Sequence, residues 1–290
     1  MKIVTRTLSY IAAIAFTVIF AFPLVFMIVS SLKPDFNLLQ DTGSYRAFLP
    51  VGPISFDNYL GVFDRIPFFM FLTNSLIVAS ITTVLGLVIN SMIGFVLARM
   101  NFPGKNVIFA AIISTLILPF EVMAIPLLYL VVNLPNVSIN THGIHIQKGL
   151  VNNYQVQILP FIASAVSIFL FMQYFKSIPK ELDEAALMDG ASWFMIYRKI
   201  AMPLAGPAIG TVAILTFLPM WNSYIWPTMV VQDERFRPIM IGLQYFYVNF
   251  GTAYGQIMAY LTLLTVPVVI LFLSTQKLFT NSIASTGVKG

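Results

Sequence analysis

Phe69–Ala98 reads FMFLTNSLIVASITTVLGLVINSMIGFVLA, a long run without a single charged side chain. A helix needs about 20 mostly apolar residues to cross the hydrocarbon core of a bilayer. This stretch therefore predicts a transmembrane helix, and lipid becomes the solvent in which the rest of the chain must be read. Five further stretches meet the same requirement, over 9–32, 107–132, 154–175, 207–228 and 254–276. The composition agrees: 58% of the 290 residues are hydrophobic and 9% are charged, against about 25% charged in an average soluble domain. The first stretch exceeds the core of a cleavable signal, and no small-residue cleavage site follows it. The chain has no cysteine, which excludes disulfides and thiolate metal sites. The expected architecture is all-α and integral to the membrane, six spans in a single transmembrane domain over 1–290, without internal repeats.

Every lysine and arginine falls outside these spans. With the N-terminus in the cytoplasm, the inner segments hold Lys2, Arg6, Arg99, Lys105, Lys176, Lys180, Arg198, Lys199, Lys277 and Lys289. The outer loops hold Lys33, Arg46, Arg65, Lys148, Arg235 and Arg237. The excess lies on the shorter inner segments, so the positive-inside rule places both termini in the cytoplasm. The net charge of +5 reads through loop topology, not as a nucleic-acid footprint. Trp221, Tyr224 and Trp226 then fall at the outer end of the fifth span, where they suit an interfacial aromatic belt. In the first outer loop Phe56, Tyr59, Leu60 and Phe63 recur at helical spacing, a stripe to lie on the membrane surface or pack on the spans.

The inner loop 176–206 carries the most information about function. From Glu184 to Pro207 the chain reads EAALMDGASWFMIYRKIAMPLAGP. Pro179 suits a first helical turn, and Glu181, Asp183 and Glu184 favour the positive end of a helix dipole. Leu182, Ala185, Ala186 and Asp189 share a face, where two alanines allow another protein to approach closely. Gly190 is placed to end that helix in a left-handed conformation. Ser192 is placed to cap a second one, Trp193 to Ile200, before Pro203 and Pro207 break the chain into the fifth span. Read from the pattern alone, this is either a docking loop or a structured connection between two spans.

The loop resembles the EAA loop of ABC importer permeases in Glu184-Ala185-Ala186, Asp189-Gly190-Ala191, Pro203 and Pro207. Other segments resemble the carbohydrate-uptake branch, and within it the shorter permease subunit of maltose-transporter type. These are Ser31-Leu32-Lys33-Pro34, Asn58-Tyr59, Asn74-Ser75, Ala98-Arg99-Met100 with Phe102 and Gly104, Trp221-Asn222, and the ending Thr286 to Gly290. The second outer loop, about 133–153, is longer than the family pattern.

The resemblance implies a type I ABC importer permease fold in the bacterial inner membrane. It implies a second, homologous permease as partner, two copies of a cytoplasmic ATPase docked on the EAA loops, and an extracytoplasmic solute-binding protein at the outer face. The coupling residues it implies are Glu184, Ala185, Ala186, Asp189, Gly190 and Ala191, with Lys289 in the tail as a further ATPase contact or, alternatively, part of a frayed terminus. No cofactor is expected on this chain, and ATP and Mg would be bound by the partner ATPases. The sequence has no G-x-x-x-x-G-K-[ST] phosphate loop, so a non-catalytic subunit is expected.

Glu121 is the only charged residue inside a span, and an intramembrane carboxylate defaults to a functional hypothesis. It reads either as a contact along the solute path or gate, or as an outer-end residue reaching interfacial water. Pro119 and Pro126 flank it and predict irregular backbone. Trp221 and Asn222 are candidates for stacking on and hydrogen bonding to a sugar. Gly86, Asn90 and Gly94 recur every four residues, as helix packing favours. His142 and His145 lack the further ligands of a tetrahedral metal site. Residues 228–253, with Asp233, Glu234, Arg235, Arg237 and the run Tyr245-Phe246-Tyr247 and Phe250, either face a docked binding protein or form another belt.

The function expected is a permease for sugars or oligosaccharides that couples to ATPase subunits through the EAA loop. The alternatives are a permease of the same family for another polar solute, such as a glycerol phosphate ester, and, from a different class, an intramembrane enzyme or receptor. An isolated Glu121, with Asp189 outside the membrane, does not support a paired-aspartate protease.

Overall fold

The computed structural model describes residues 2–41, 43–140, 143–248 and 251–286. Lys289, His142 and Phe250 lie outside the described residues. The architecture is helical. Among the described residues, three helices are long and apolar enough to cross a membrane, or up to six if each of three bent helix pairs counts as one span. The chain forms two compact units, Met1–Phe69 with Gly242–Leu271 and Met70–Ile241 with Phe272–Gly290.

The first unit opens with the helix Lys2–Ser31. None of its most apolar window is buried, as suits a helix whose solvent is lipid. Its last carbonyls need partners, and the Asn58 side-chain amide donates to the terminal one, Ser31 O, at 3.0 Å and to Lys33 O just beyond the helix at 2.8 Å. The Ser31 and Tyr59 hydroxyls lie 2.7 Å apart. Two signatures remote in sequence, Ser31-Leu32-Lys33-Pro34 and Asn58-Tyr59, therefore form one joint. Lys33 is buried and pairs with Asp41 at 2.8 Å. The short helix Asp57–Arg65 buries Asn58 and Val62. Of the expected stripe, Phe56 and Leu60 stay exposed, while Tyr59 turns to Ser31 and Phe63 packs its ring on Phe68 and Phe69, so the stripe divides between an open face and packing on a span. The short helix meets the start of the helix Tyr254–Thr286 at two glycines. A Cβ on Gly255 would fall 2.4 Å from the Asn58 amide nitrogen, and one on Gly61 2.4 Å from that of Gln256.

In the second unit the helix Phe68–Arg99 packs through its small residues. A Cβ on Gly94 would fall 2.7 Å from Phe171 Cβ, and one on Gly86 3.3 Å from Ile162 O. Asn90 lies between them and bridges a break in the neighbouring backbone. Its amide donates to Ile162 O at 3.0 Å and accepts from the Ser164 N–H at 2.9 Å. That break separates Tyr154–Phe161 from Ala165–Ser177, which are bent by 46°. The expected span 107–132 is likewise two helices, Lys105–Ile117 and Phe120–Asn133, bent by 107° at Leu118 and Pro119. Proline has no N–H to continue the ladder, and Pro119 stands in an extended conformation. The segment 133–153 contains an antiparallel hairpin of Pro135–Asn140 with Gly143–Lys148, so the expectation of helices alone does not extend to it.

Candidate functional site

The loop 176–206 folds largely as its local chemistry dictates. The helix Glu181–Met188 carries three acids in its first turn. It ends where Gly190 takes φ +82°. The Gly190 N–H donates to Leu187 O at 3.0 Å and the Ala191 N–H to Ala186 O at 2.9 Å. This pair of bonds is the Schellman arrangement, which satisfies carbonyls that the helix end orphans. Ser192 Oγ then accepts from the Met195 N–H at 3.3 Å and starts the next helix.

That second helix is longer than expected and runs over Trp193–Leu204 before an 81° bend into Gly206–Trp221. Pro203 does not break it. A wider π-turn over Tyr197–Ala201 comes first, in which the Met202 N–H reaches back to Tyr197 O. A π-turn is one way to accommodate a position where the regular ladder fails. The bend falls at Ala205, and Pro207 opens the following helix, where its missing N–H is harmless.

The loop's inner face packs on a core of Phe95, Phe171, Phe175, Ile178, Ile196 and neighbouring alanines. Ala186 and Ala191 are part of that packing. The two alanines of the motif therefore divide, with Ala185 exposed and Ala186 turned inward, and the expected four-residue face is not a single outer surface. Glu184, Asp189 and Gly190 are exposed, and around them lie Leu182, Leu187, Met188 and Phe194, also exposed. Met188 is 88% exposed, a large apolar side chain left open beside acidic ones.

Sequence reasoning assigned no joint role to Arg99 and Asp183. Arg99 Nε lies 2.7 Å from Asp183 Oδ2, both side chains being buried, and Arg99 Nη2 donates to Ile178 O at 2.9 Å. Burial pushes the Asp183 carboxyl up from its ordinary value, Arg99 pulls it down, and the neighbouring Glu184 raises it further. The signals for this pair were an acid one residue before the motif and an arginine ending a span.

The candidates for the solute path divide as well. Trp221 is 1% exposed and stacks on Phe217 with ring centroids 5.9 Å apart, so it is packed away from any solute in this conformation. Trp226 is also 1% exposed, and its Nε1–H donates to Val156 O at 2.8 Å. Its place in a core with Val131, Val156, Val230 and Val231 overturns the expected interfacial belt for this residue. Asn222 is exposed where the helix Gly206–Trp221 ends. With Phe120, Phe161, Met220, Tyr224 and Trp226 it lines a groove of roughly 570 Å³. Glu121 is exposed in the first turn after the Pro119 break, next to Phe120 of the groove wall.

Part of the loop after the fifth span is clamped, a feature not read from sequence. The Asn74 amide donates to Arg235 O and Arg237 O, each at 2.9 Å, and accepts from the Tyr154 hydroxyl at 2.7 Å. Ser75 Oγ accepts from the Ile239 N–H at 2.7 Å, and Asn152 Oδ1 from the N–H groups of Gln232 and Asp233. Arg235 grips the Asp233 carboxylate and holds it below its usual range. Phe246 is fully buried against Tyr260 and beneath the Arg65 guanidinium, so it neither lines a docking face nor lies in a belt.

Comparison with known proteins places the chain in a family. Residues 90–285 match the family model described as binding-protein-dependent transport system inner membrane component. The arabinooligosaccharides transport system permease protein AraQ of Bacillus subtilis (strain 168) is 35% identical over 277 residues, covering 94% of this chain and 92% of AraQ. The sn-glycerol-3-phosphate transport system permease protein UgpE of Salmonella typhi is 31% identical over 231 residues, covering 79% of this chain and 77% of UgpE. The fold matches a crystal structure of a bacterial ABC transporter involved in the import of the acidic polysaccharide alginate, with a TM-score of 0.77 and 21% identity over 94% of this chain and 96% of that one. The chain belongs to the family of binding-protein-dependent transport system inner membrane components. It is a non-catalytic ABC importer permease subunit of a membrane transport system.

Proposed function

We propose that this chain is a permease subunit of an importer for sugars or oligosaccharides, driven from the cytoplasmic side through residues 176–206. The observation that carries the solute class is the likeness to AraQ along 94% of the chain. The likeness to UgpE covers less of the chain and keeps a glycerol phosphate ester as the second reading. In this reading the protein has six spans, each bent helix pair of 105–133 and 154–177 crossing once, with both termini in the cytoplasm and the two compact units making one permease domain.

The partners follow from the division of labour. In this reading the work comes from ATPase subunits of the family's kind, which carry the ATP and Mg. The exposed Glu184, Ala185, Asp189 and Gly190, with Met188 and Phe194 beside them, are the surface offered to one ATPase. Ala186 and Ala191 act from within by seating the loop on the core, and Lys289 contributes from the tail. A second permease completes the path, and an extracytoplasmic binding protein delivers solute to the outer loops. Asn222 and Glu121 border the path, while Trp221 reaches it only if the helix end at Asn222 rearranges during alternating access.

The test is uptake by a strain lacking the chromosomal copy, with the chain expressed beside its genomic partner subunits. Labelled arabino-oligosaccharides, other oligosaccharides and sn-glycerol 3-phosphate are offered in parallel. Uptake of an oligosaccharide that disappears on deletion is the expected result. Uptake of glycerol phosphate alone would replace the sugar reading with the second one.

A further inference from the structure

We propose that Arg99 and Asp183 form a strut that makes the Glu181–Met188 helix and the Phe68–Arg99 helix move as one body. The proposal rests on the reading of residues 176–206 as the driven loop. Asp183 is the one buried residue of the helix Glu181–Met188. A loop helix seated only for stability would bury an apolar residue there. Instead it buries a carboxylate, 2.7 Å from the guanidinium of the last residue of a long span.

Arg99 is a junction of three elements. It ends the helix Phe68–Arg99, faces Asp183, and donates through Nη2 to Ile178 O at 2.9 Å, the residue that caps the helix Ala165–Ser177. Its Nε and Nη1 are buried without a hydrogen-bond partner, so the Asp183 contact is an ion pair by distance and the bond to Ile178 O is the hydrogen bond that orients the guanidinium. Farther along the same span, the Ser91 hydroxyl lies 2.8 Å from the Tyr197 hydroxyl, and Phe95 packs on the rings of Trp193 and Tyr197. The two helices of the loop are thus each joined to one span, one by charge and one by a hydroxyl pair and rings.

The type of contact decides what it can transmit. Apolar surfaces slide over one another at little cost while they stay buried. A buried ion pair is specific in distance, because separating it leaves an uncompensated charge, although an apolar pair of similar volume can be as stable. That difference separates a strut from a mere anchor. The residues act through the loop and touch neither solute nor nucleotide, so they are positioning residues.

The experiment uses the whole importer in liposomes, with Asp183→Asn and the apolar double variant Arg99→Met with Asp183→Met. Solute imported and ATP hydrolysed are measured in the same vesicles. The expected result for both is normal assembly with the partner subunits, hydrolysis within threefold of wild type, and import lower by at least tenfold. Import at the wild-type ratio to hydrolysis in the double variant would overturn the proposal. So would failure of both variants to assemble, which would make the pair structural only. A wild-type importer that takes up no solute would speak against the transport reading itself, and the unmodified control shows this directly.

Discussion

Replacing Gly190 tests the loop through its backbone alone. Gly190 has φ +82°, and a Cβ built there meets no atom within 4 Å. A substitution therefore creates no clash, and only the left-handed conformation opposes it. That conformation costs an L-residue about 1–2 kcal/mol, with β-branched valine at the upper end or above and asparagine tolerated best. Since 1.4 kcal/mol is a factor of ten, Gly190→Ala should lower the population of the closed turn by roughly fivefold and Gly190→Val by roughly thirtyfold. The bonds at stake are those from Gly190 to Leu187 and from Ala191 to Ala186. Their loss frees Ala191 from the core and turns the Trp193–Leu204 helix relative to Glu181–Met188. Import per ATP hydrolysed, measured in vesicles, should fall in the order Gly190→Asn, Gly190→Ala, Gly190→Val, with little change in thermal unfolding of the isolated subunit. If Gly190→Asn is as defective as Gly190→Val, or Gly190→Val imports normally, the conformational argument is wrong.

Four further outcomes follow from the geometry. Glu184→Lys reverses an exposed charge in a helix first turn without disturbing the core, so membrane insertion should be normal while import falls about tenfold or more, as the factor expected of ~1.4 kcal/mol lost at a docking contact. Asn90→Ala leaves Ile162 O and the Ser164 N–H unpaired at a part-buried break, at about 1–3 kcal/mol for each group, which a lowered midpoint of thermal unfolding in detergent would report. Trp221 and Trp226 are each 1% exposed and Trp193 is 37% exposed, so Trp193→Phe should leave a fluorescence that aqueous acrylamide barely quenches. Asp233 is held low by Arg235. Its stabilising pairing is complete above the unfolded carboxylate value and is lost only as pH falls through the depressed folded value, so carboxyl NMR should show a late titration that Arg235→Ala moves back up.

The sequence made legible what local rules decide. Charge-free runs located the apolar helices, because a helix in lipid satisfies its own backbone. Gly190 and Ser192 were readable because a helix end and a helix start depend on the residues within a turn of them. The 107° bend at Pro119 was not readable, since a proline in an apolar run signals irregularity but tertiary packing decides between a kink and a break. Trp226 failed for a similar reason. Tryptophan suits a membrane interface or a core with one acceptor, and the acceptor here, Val156 O, lies 70 residues away in the chain. The Arg99–Asp183 pair was hidden because each member had a sufficient local explanation, one as an inner-side positive charge and the other as a helix-dipole acid.

The asparagines show where sequence and structure connect. Broken helices and ordered loops leave N–H and C=O groups that lipid cannot satisfy, and a primary amide offers both a donor and an acceptor on one short stem. Asn90 uses both, taking a carbonyl and an N–H from the two sides of one break. Asn58 gathers two carbonyls at the end of the first helix. Asn74 gathers two from the loop at Arg235 and Arg237 and is itself fixed by Tyr154. Asn152, at φ +54°, receives two N–H groups of the same loop. Aspartate at Asn58, Asn74 or Asn90 would lose the donor in use there, and leucine at any of the four would lose every one of these bonds. Two of the four, Asn58 and Asn74, lie in the short signatures that resemble the sugar-permease branch. Their contacts point to backbone architecture as the physical reason for those signatures.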